Sequence, residues 1–214
     1  MWYTQRINNF NIKVNVFSPI VWGYFTGFDL KGLFIISVVF VSILLHELGH
    51  AVVARRLGLK VRYISIHPLG GGALIRYNNN PKDELWVTVA GLGVSFGIAI
   101  VSFLLAFILF PKLFSVIAAF NLAMFLMNIL PIYPLDGGRA LHSILGMTLG
   151  EDKTSGVISR VGGVLSSVII VISSLSKNWN MLIFGVTFFV MSGLFASTKN
   201  SSISYKRHGR SSMY

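Results

Sequence analysis

The 214-residue chain has no cysteine and very little acid. Without cysteine there are no disulfides and no thiolate metal sites, so any metal must be held by histidine and carboxylate. Charged residues make up only 12% of the chain, against about 25% in soluble domains. Acidic residues number 7, beside 18 Lys and Arg. A soluble domain of this length has too little interior to hide a chain that is 54% hydrophobic, and a polytopic membrane protein is the class that fits. The net charge of +11 is not a nucleic-acid signal, because the basic residues lie between apolar runs and in the tail. The opening "MWYTQRINNFNIKV" is too polar to begin a cleavable signal peptide, so the first apolar segment is expected to be retained.

Six apolar segments can be read, at 14–28, 32–54, 85–110, 113–133, 156–175 and 180–197. A span needs about 20 helical residues, so the first is short. The fourth is expected to continue as a broken helix through "PIYPLDGGRALHSIL", where Pro131, Pro134 and Gly137–Gly138 interrupt it. No internal repeat is visible. Alternate connections carry 15 and 3 basic residues, which predicts six spans with both termini cytoplasmic. The connection at 58–84 holds two short runs, 60–67 and 73–77, around Pro68 and Gly70–Gly72, and predicts a small β-hairpin near the membrane surface. The fold class is therefore an all-α polytopic membrane protein, of about six helices, with a β element between the second and third. Residues 1–198 are expected to form one domain, with its core at 32–145, and residues 199–214 a disordered basic tail.

"SVVFVSILLHELGHAVVARRLG" places His46, Glu47 and His50 in an unbroken apolar run. Ionisable side chains at membrane depth are costly and mark function. Histidines four apart share one helix face, and both imidazoles can meet one ion. Glu47 lies close enough to activate water without ligating, which is the HExxH arrangement of a zinc hydrolase. A catalytic zinc needs a third protein ligand and an open position. Asp29, Asp83, Glu84, Glu151 and Asp152 sit at segment ends, where a solvated charge suffices. Asp136, in "NILPIYPLDGGRAL", is either that third ligand or a helix N-cap.

"HELGH" on one apolar segment and "NILPIYPLDGG" about 85 residues later resemble the site-2 protease family of intramembrane zinc metalloproteases. The resemblance covers residues 32–145 and is closest to the bacterial sporulation branch, one member of which processes a precursor sigma factor. It implies one zinc per chain, His46, His50 and Asp136 as ligands, and Glu47 as general base. Asn128 matches the family's Asn, for substrate backbone or an oxyanion, though an interhelical hydrogen bond would also explain it. Gly91 to Ser95 in "AGLGVSFG" resembles the family's GxxxN/S pattern, with Leu92 where Pro is frequent, and close helix packing accounts for the stretch. The CBS domain typical of the sporulation branch and the PDZ domain of other members are not expected within these 214 residues. His67 and His142 are expected to be surface or hydrogen-bonded core histidines rather than groups that orient a ligand.

The implied activity is endoproteolysis of a single-pass or membrane-associated substrate within the lipid bilayer. The implied setting is a bacterial cell membrane, with the active site in its cytoplasmic half. Membrane regulatory partners or a homo-oligomer are compatible with it, and nucleic acid is not. A catalytically silent membrane protein would have no reason to keep Glu47. A metal or ion transporter would show inverted repeats, and none is visible. The 60–77 strands offer either an edge for an extended substrate or a structural lid.

Overall fold

The computed structural model describes residues 2–7, 10–68, 70–78, 80–179 and 181–195. The expected tail at 199–214 lies outside them. The chain divides into two units, Met1–Met127 and Asn128–Tyr214.

The first unit begins with two strands, β1 (Trp2–Ile7) and β2 (Phe10–Asn15), then a ten-residue helix, α1 (Phe17–Thr26). Next come α2 (Leu30–Arg56), β3 (Lys60–His67), β4 (Gly70–Arg76), α3 (Pro81–Ala106) and α4 (Pro111–Asn128). Asp29 starts α2 by accepting from Gly32 N at 2.7 Å, and Arg55 and Arg56 complement the dipole of its last turn. Asn80 starts α3 by accepting from Lys82 N at 3.1 Å, with Pro81 at the first position and Asp83 and Glu84 in the first turn. Gly49 of α2 lies on α3, where an added Cβ would stand 2.8 Å from Val94 Cγ2 and 3.1 Å from Ala90 O. Small residues at such a crossing let two helices approach closely without a hydrophobic driving force.

The four strands form one sheet in chain order, β1-β2-β3-β4, with β2 and β3 parallel and the other pairs antiparallel. The expected hairpin at 60–77 is present, but Gly70–Gly72 belong to β4 rather than to its turn. The leading segment, to which the sequence reading assigns no strand, adds the two further strands. Ile12, Ile64 and Ile66 are buried, and Ile66 packs with Ile43 of α2 and Trp22 of α1. Burying a side chain of that size contributes about 1.5–3 kcal/mol. The Trp22 indole also donates to Pro68 O at 2.8 Å, pinning α1 to the end of β3.

The second unit contains α5 (Asp136–Leu149), α6 (Glu151–Leu175) and a shorter apolar helix, α7 (Met181–Phe195). Tyr133 stacks on Phe195 at 3.9 Å between centroids, and Ser159 of α6 donates to Ser192 O of α7 at 2.9 Å. Gly137 and Gly138 lie against the backbone of Ile129 and Ile132, so the start of α5 rests on the segment that leaves α4. The break expected in the fourth apolar segment falls there.

Among the described residues four helices are long and apolar enough to cross a membrane: α2, α3, α4 and residues 153–175 of α6. The sixth apolar segment is also helical, as the shorter α7, and the first, read at 14–28, starts in the last two residues of β2 before it forms the shorter α1. The protein is a polytopic, mostly helical membrane protein with one small sheet.

Candidate metal centre

The centre of interest is one turn of α2. His46, Glu47 and His50 are 4%, 7% and 3% exposed, so three ionisable side chains are buried on a helix whose most apolar 18-residue stretch has a mean hydropathy of 2.1. The spacing brings the imidazoles together, with the two Nε2 atoms 3.2 Å apart and the rings edge-on at 90°.

Helix α3 fixes both rings from behind. His50 Nδ1 lies 2.7 Å from Val87 O. A carbonyl only accepts, so His50 donates through Nδ1 and presents the lone pair of Nε2. His46 Nδ1 lies 2.8 Å from the hydroxyl of Ser95, which is itself fully buried. Each histidine is thus held through Nδ1 while Nε2 points to the other. Such support at the outer nitrogen is how metal-binding imidazoles are oriented. Two lone pairs turned toward each other at this distance repel unless a proton or a cation lies between them.

Two glycines make room. A Cβ at Gly91 would collide with the His50 ring, so only glycine lets this imidazole lie flat on α3. A Cβ at Gly71 of β4 would stand 2.7 Å from Glu47 Cγ and 2.8 Å from its Oε1. The backbone of β4 therefore runs directly past the carboxylate. The stretch 91–95, read from sequence as close packing, does pack closely, and its Ser95 also holds His46. The signal available was the four-residue spacing of Gly91 and Ser95, which puts both on one face of α3, and the fold turns that face to α2.

Asp136, in the second unit, is 5% exposed and is the first residue of α5. The cap position is Leu135, so Asp136 is not the N-cap that one reading of the sequence allowed. Arg139 Nη1 lies 3.6 Å from its Oδ1. Asn128 ends α4, half-buried. His67 ends β3, half-buried, and its pKa is lowered by desolvation. His142 meets the Phe195 ring edge-on at 5.8 Å.

Among the described residues, the imidazoles of His46 and His50 in the first unit and the carboxylate of Asp136 in the second are donors of the kind that suit a cation. Neutral imidazole and carboxylate are ordinary zinc ligands, so these donor types fit that metal.

Comparison with known proteins agrees with this chemistry. The model of peptidase family M50 matches residues 34–111 and 108–170. A zinc metalloprotease of Methanocaldococcus jannaschii is 34% identical over 163 residues, which is 73% of this chain and 47% of that protein. Stage IV sporulation protein FB of Bacillus subtilis is 29% identical over 66% of this chain and 51% of its own length. The chain thus spans about half the length of the curated relatives it matches. The solved structure of a site-2 protease from Methanocaldococcus jannaschii shares the fold, with a TM-score of 0.67 at 24% identity, covering 92% of this chain and 95% of that one. With the family model spanning more than half of its residues, the chain belongs to peptidase family M50.

Proposed function

We propose that this protein is a zinc-dependent intramembrane endopeptidase that cleaves a peptide bond within or beside a transmembrane segment of a membrane-associated substrate. The observation that carries this reading is the buried turn His46–Glu47–His50, its imidazoles braced by α3 and its carboxylate beside β4. His46, His50 and Asp136 would hold one zinc ion, and residues 1–198 would act as one protease domain. Zinc, when bound, acidifies water to a pKa of about 7 and polarises a carbonyl. Glu47 takes the proton from the attacking water and delivers it to the leaving amine. Burial keeps bulk water from competing and strengthens each interaction at the site.

The substrate must be extended where it is cut. Strand β4 is an edge of the sheet, and its Gly71 lies on Glu47, so a substrate strand added to β4 would pass the base. Asn128 would hold substrate backbone near the scissile bond. The basic asymmetry of the connections supports cytoplasmic termini and a site in the cytoplasmic half of a bacterial membrane. Release of a membrane-tethered regulator such as a transcription factor is the use we infer for it, supported by the likeness to a sporulation protein.

The test combines metal content with cleavage of a transmembrane model substrate. One zinc per chain is expected, with Glu47→Gln abolishing cleavage while keeping the metal. Asp136→Asn should lose most activity and part of the zinc, because an amide is a poorer zinc ligand than a carboxylate. Near-normal cleavage and full zinc in Asp136→Asn would refute the third ligand. Full activity in Glu47→Gln would refute the mechanism.

A further inference from the structure

The two ends of the sheet lie at different depths. At the His67 end, Ile66 packs with Ile43, and Gly71 lies on Glu47, beside the buried turn of α2. At the Lys60 end, Leu59 and Ile75 pack with Ala54, near the close of α2, and with Val87 of α3. The Arg55 guanidinium stands 4.0 Å from the centroid of the Phe10 ring, which brings the start of β2 to the same end.

That second end reaches the polar layer of a bilayer. Helix α2 has 27 residues, roughly 40 Å of helix against a hydrocarbon layer of about 30 Å. Lys31 lies at its start, and Arg55 and Arg56 in its last turn, so cations bracket the apolar stretch. Trp86, one residue before Val87, is 63% exposed. Exposed tryptophan suits the boundary between hydrocarbon and water.

Its outer face is basic. Side chains alternate along a strand, so with Ile75 turned inward Arg76 turns outward, and so does Lys60, its partner across the ladder. Both are exposed, and like charges directly opposite each other repel. Arg62 falls at the irregularity in the ladder between Val61 and Tyr63 and is exposed as well. Its carbonyl accepts from Asn11 Nδ2 at 3.3 Å, and Asn11 pairs with Arg6 of β1. The four strands carry no acidic residue. Among the described residues no carboxylate pairs with Lys60, Arg62 or Arg76. Membrane topology asks only for a basic connection. Here the fold gathers the cations on one face, at the level of lipid phosphates, and sets two of them against each other. An anion between Lys60 and Arg76 removes their repulsion. Lipid phosphate surrounds this end of α2 at all times, which favours it over a soluble acidic partner.

We propose that the Lys60 end of the sheet binds anionic phospholipid, with Lys60 and Arg76 sharing one headgroup phosphate and Arg62 beside them. Native mass spectrometry of the delipidated full chain tests it, with phosphatidylglycerol and phosphatidylcholine offered at equal concentration. Wild type should prefer phosphatidylglycerol by about 25-fold, the effect of two basic residues at an anionic surface. Lys60→Gln and Arg76→Gln should each cost about fivefold, and the double variant should lose most of the preference. Lys60→Arg should keep it. So should the charge-matched double variant Lys31→Gln/Lys112→Gln, which removes two cations elsewhere. If the Lys60→Gln/Arg76→Gln chain fails to fold, Arg62→Gln at the ladder irregularity should still reduce the preference. Equal binding of the two lipids by wild type would overturn the proposal, as would an undiminished preference in the folded site variants. An equal loss in Lys31→Gln/Lys112→Gln would reduce the effect to net charge and overturn it too. Displacement of the lipid by millimolar inorganic phosphate would make this a free-anion site, and displacement by polyglutamate a protein-docking patch; either result refutes a lipid site. None of these readouts uses proteolysis, so the protease reading stands or falls separately.

Discussion

Helices α2 and α4 are both apolar and both long enough to span, yet they bury very different amounts of surface. Helix α2, whose most apolar 18-residue stretch has a mean hydropathy of 2.1 against 1.4 for α4, is the one that carries His46, Glu47 and His50. A third of its apolar window is buried, against 11% for α4, so α2 faces protein where α4 faces its surroundings. Along α4 the buried residues are Ala118 and Asn121. Average hydropathy therefore says which helices cross, and the partners of the buried polar groups say which helix does chemistry. On α2 two of those groups are braced by α3 through Ser95 and Val87. On α4 the one buried polar side chain reaches back to α2.

The sharpest way to break this contrast is to disturb the brace without touching the histidines. Gly91→Ala inserts a methyl into the space of the His50 ring. The ring must rotate away from Val87 O, and the shared orientation of the two Nε2 atoms is lost. Zinc affinity should fall by about 100-fold or more, at the upper end for disrupted ligand support, and cleavage should fall with it. Gly93→Ala is the control, because a Cβ there meets nothing within 4 Å. Equal zinc binding by the two variants would show that α3 does not set the geometry of His50.

A smaller effect is expected from Ser95→Ala. It deletes the hydroxyl at His46 Nδ1 and adds no bulk. The ring keeps its packing but loses the bond that selects its orientation. Metal affinity should drop about tenfold, the low end for loss of a supporting hydrogen bond. Ser95→Thr, which restores the hydroxyl, should recover part of it. An unchanged zinc titration in Ser95→Ala would reduce this contact to packing.

These sites were unequally legible in the sequence. The helices and the HELGH turn were readable because hydropathy and four-residue spacing are local. The bracing by Ser95 was not, since it depends on which face of α3 meets α2. Strands β1 and β2 carried a usable signal in "FNIKVN", where Phe10, Ile12 and Val14 alternate with Asn11, Lys13 and Asn15. That alternation does not by itself place the strand, because β2 gains its position by pairing with β3, about fifty residues on. Asp136 was legible as a residue of interest from "LDGG", but its place as the first residue of α5 with Leu135 as cap needed the fold.

The smallest effect should come from α4. Asn121 is fully buried and donates to Ser42 Oγ and to Ile117 O, both at 2.9 Å. Its Oδ1 has no hydrogen-bond partner among the described residues. Ser42 lies one turn before His46, so the contact ends close to the proposed site without entering it. Asn121→Leu preserves volume, removes the bond to Ser42 and also removes a buried acceptor. Hydrogen bonds between membrane helices average about 0.6 kcal/mol, and relief of the acceptor opposes that loss. Stability should therefore change by less than about 1 kcal/mol, with zinc and cleavage close to wild type. Asn121→Asp should cost more, because it buries a charge with only Ser42 and a helix carbonyl beside it. A variant Asn121→Leu that binds zinc fully and is as stable as wild type, yet does not cleave, would move Asn121 from packing into catalysis. The contrast between α2 and α4 would then be between two working helices.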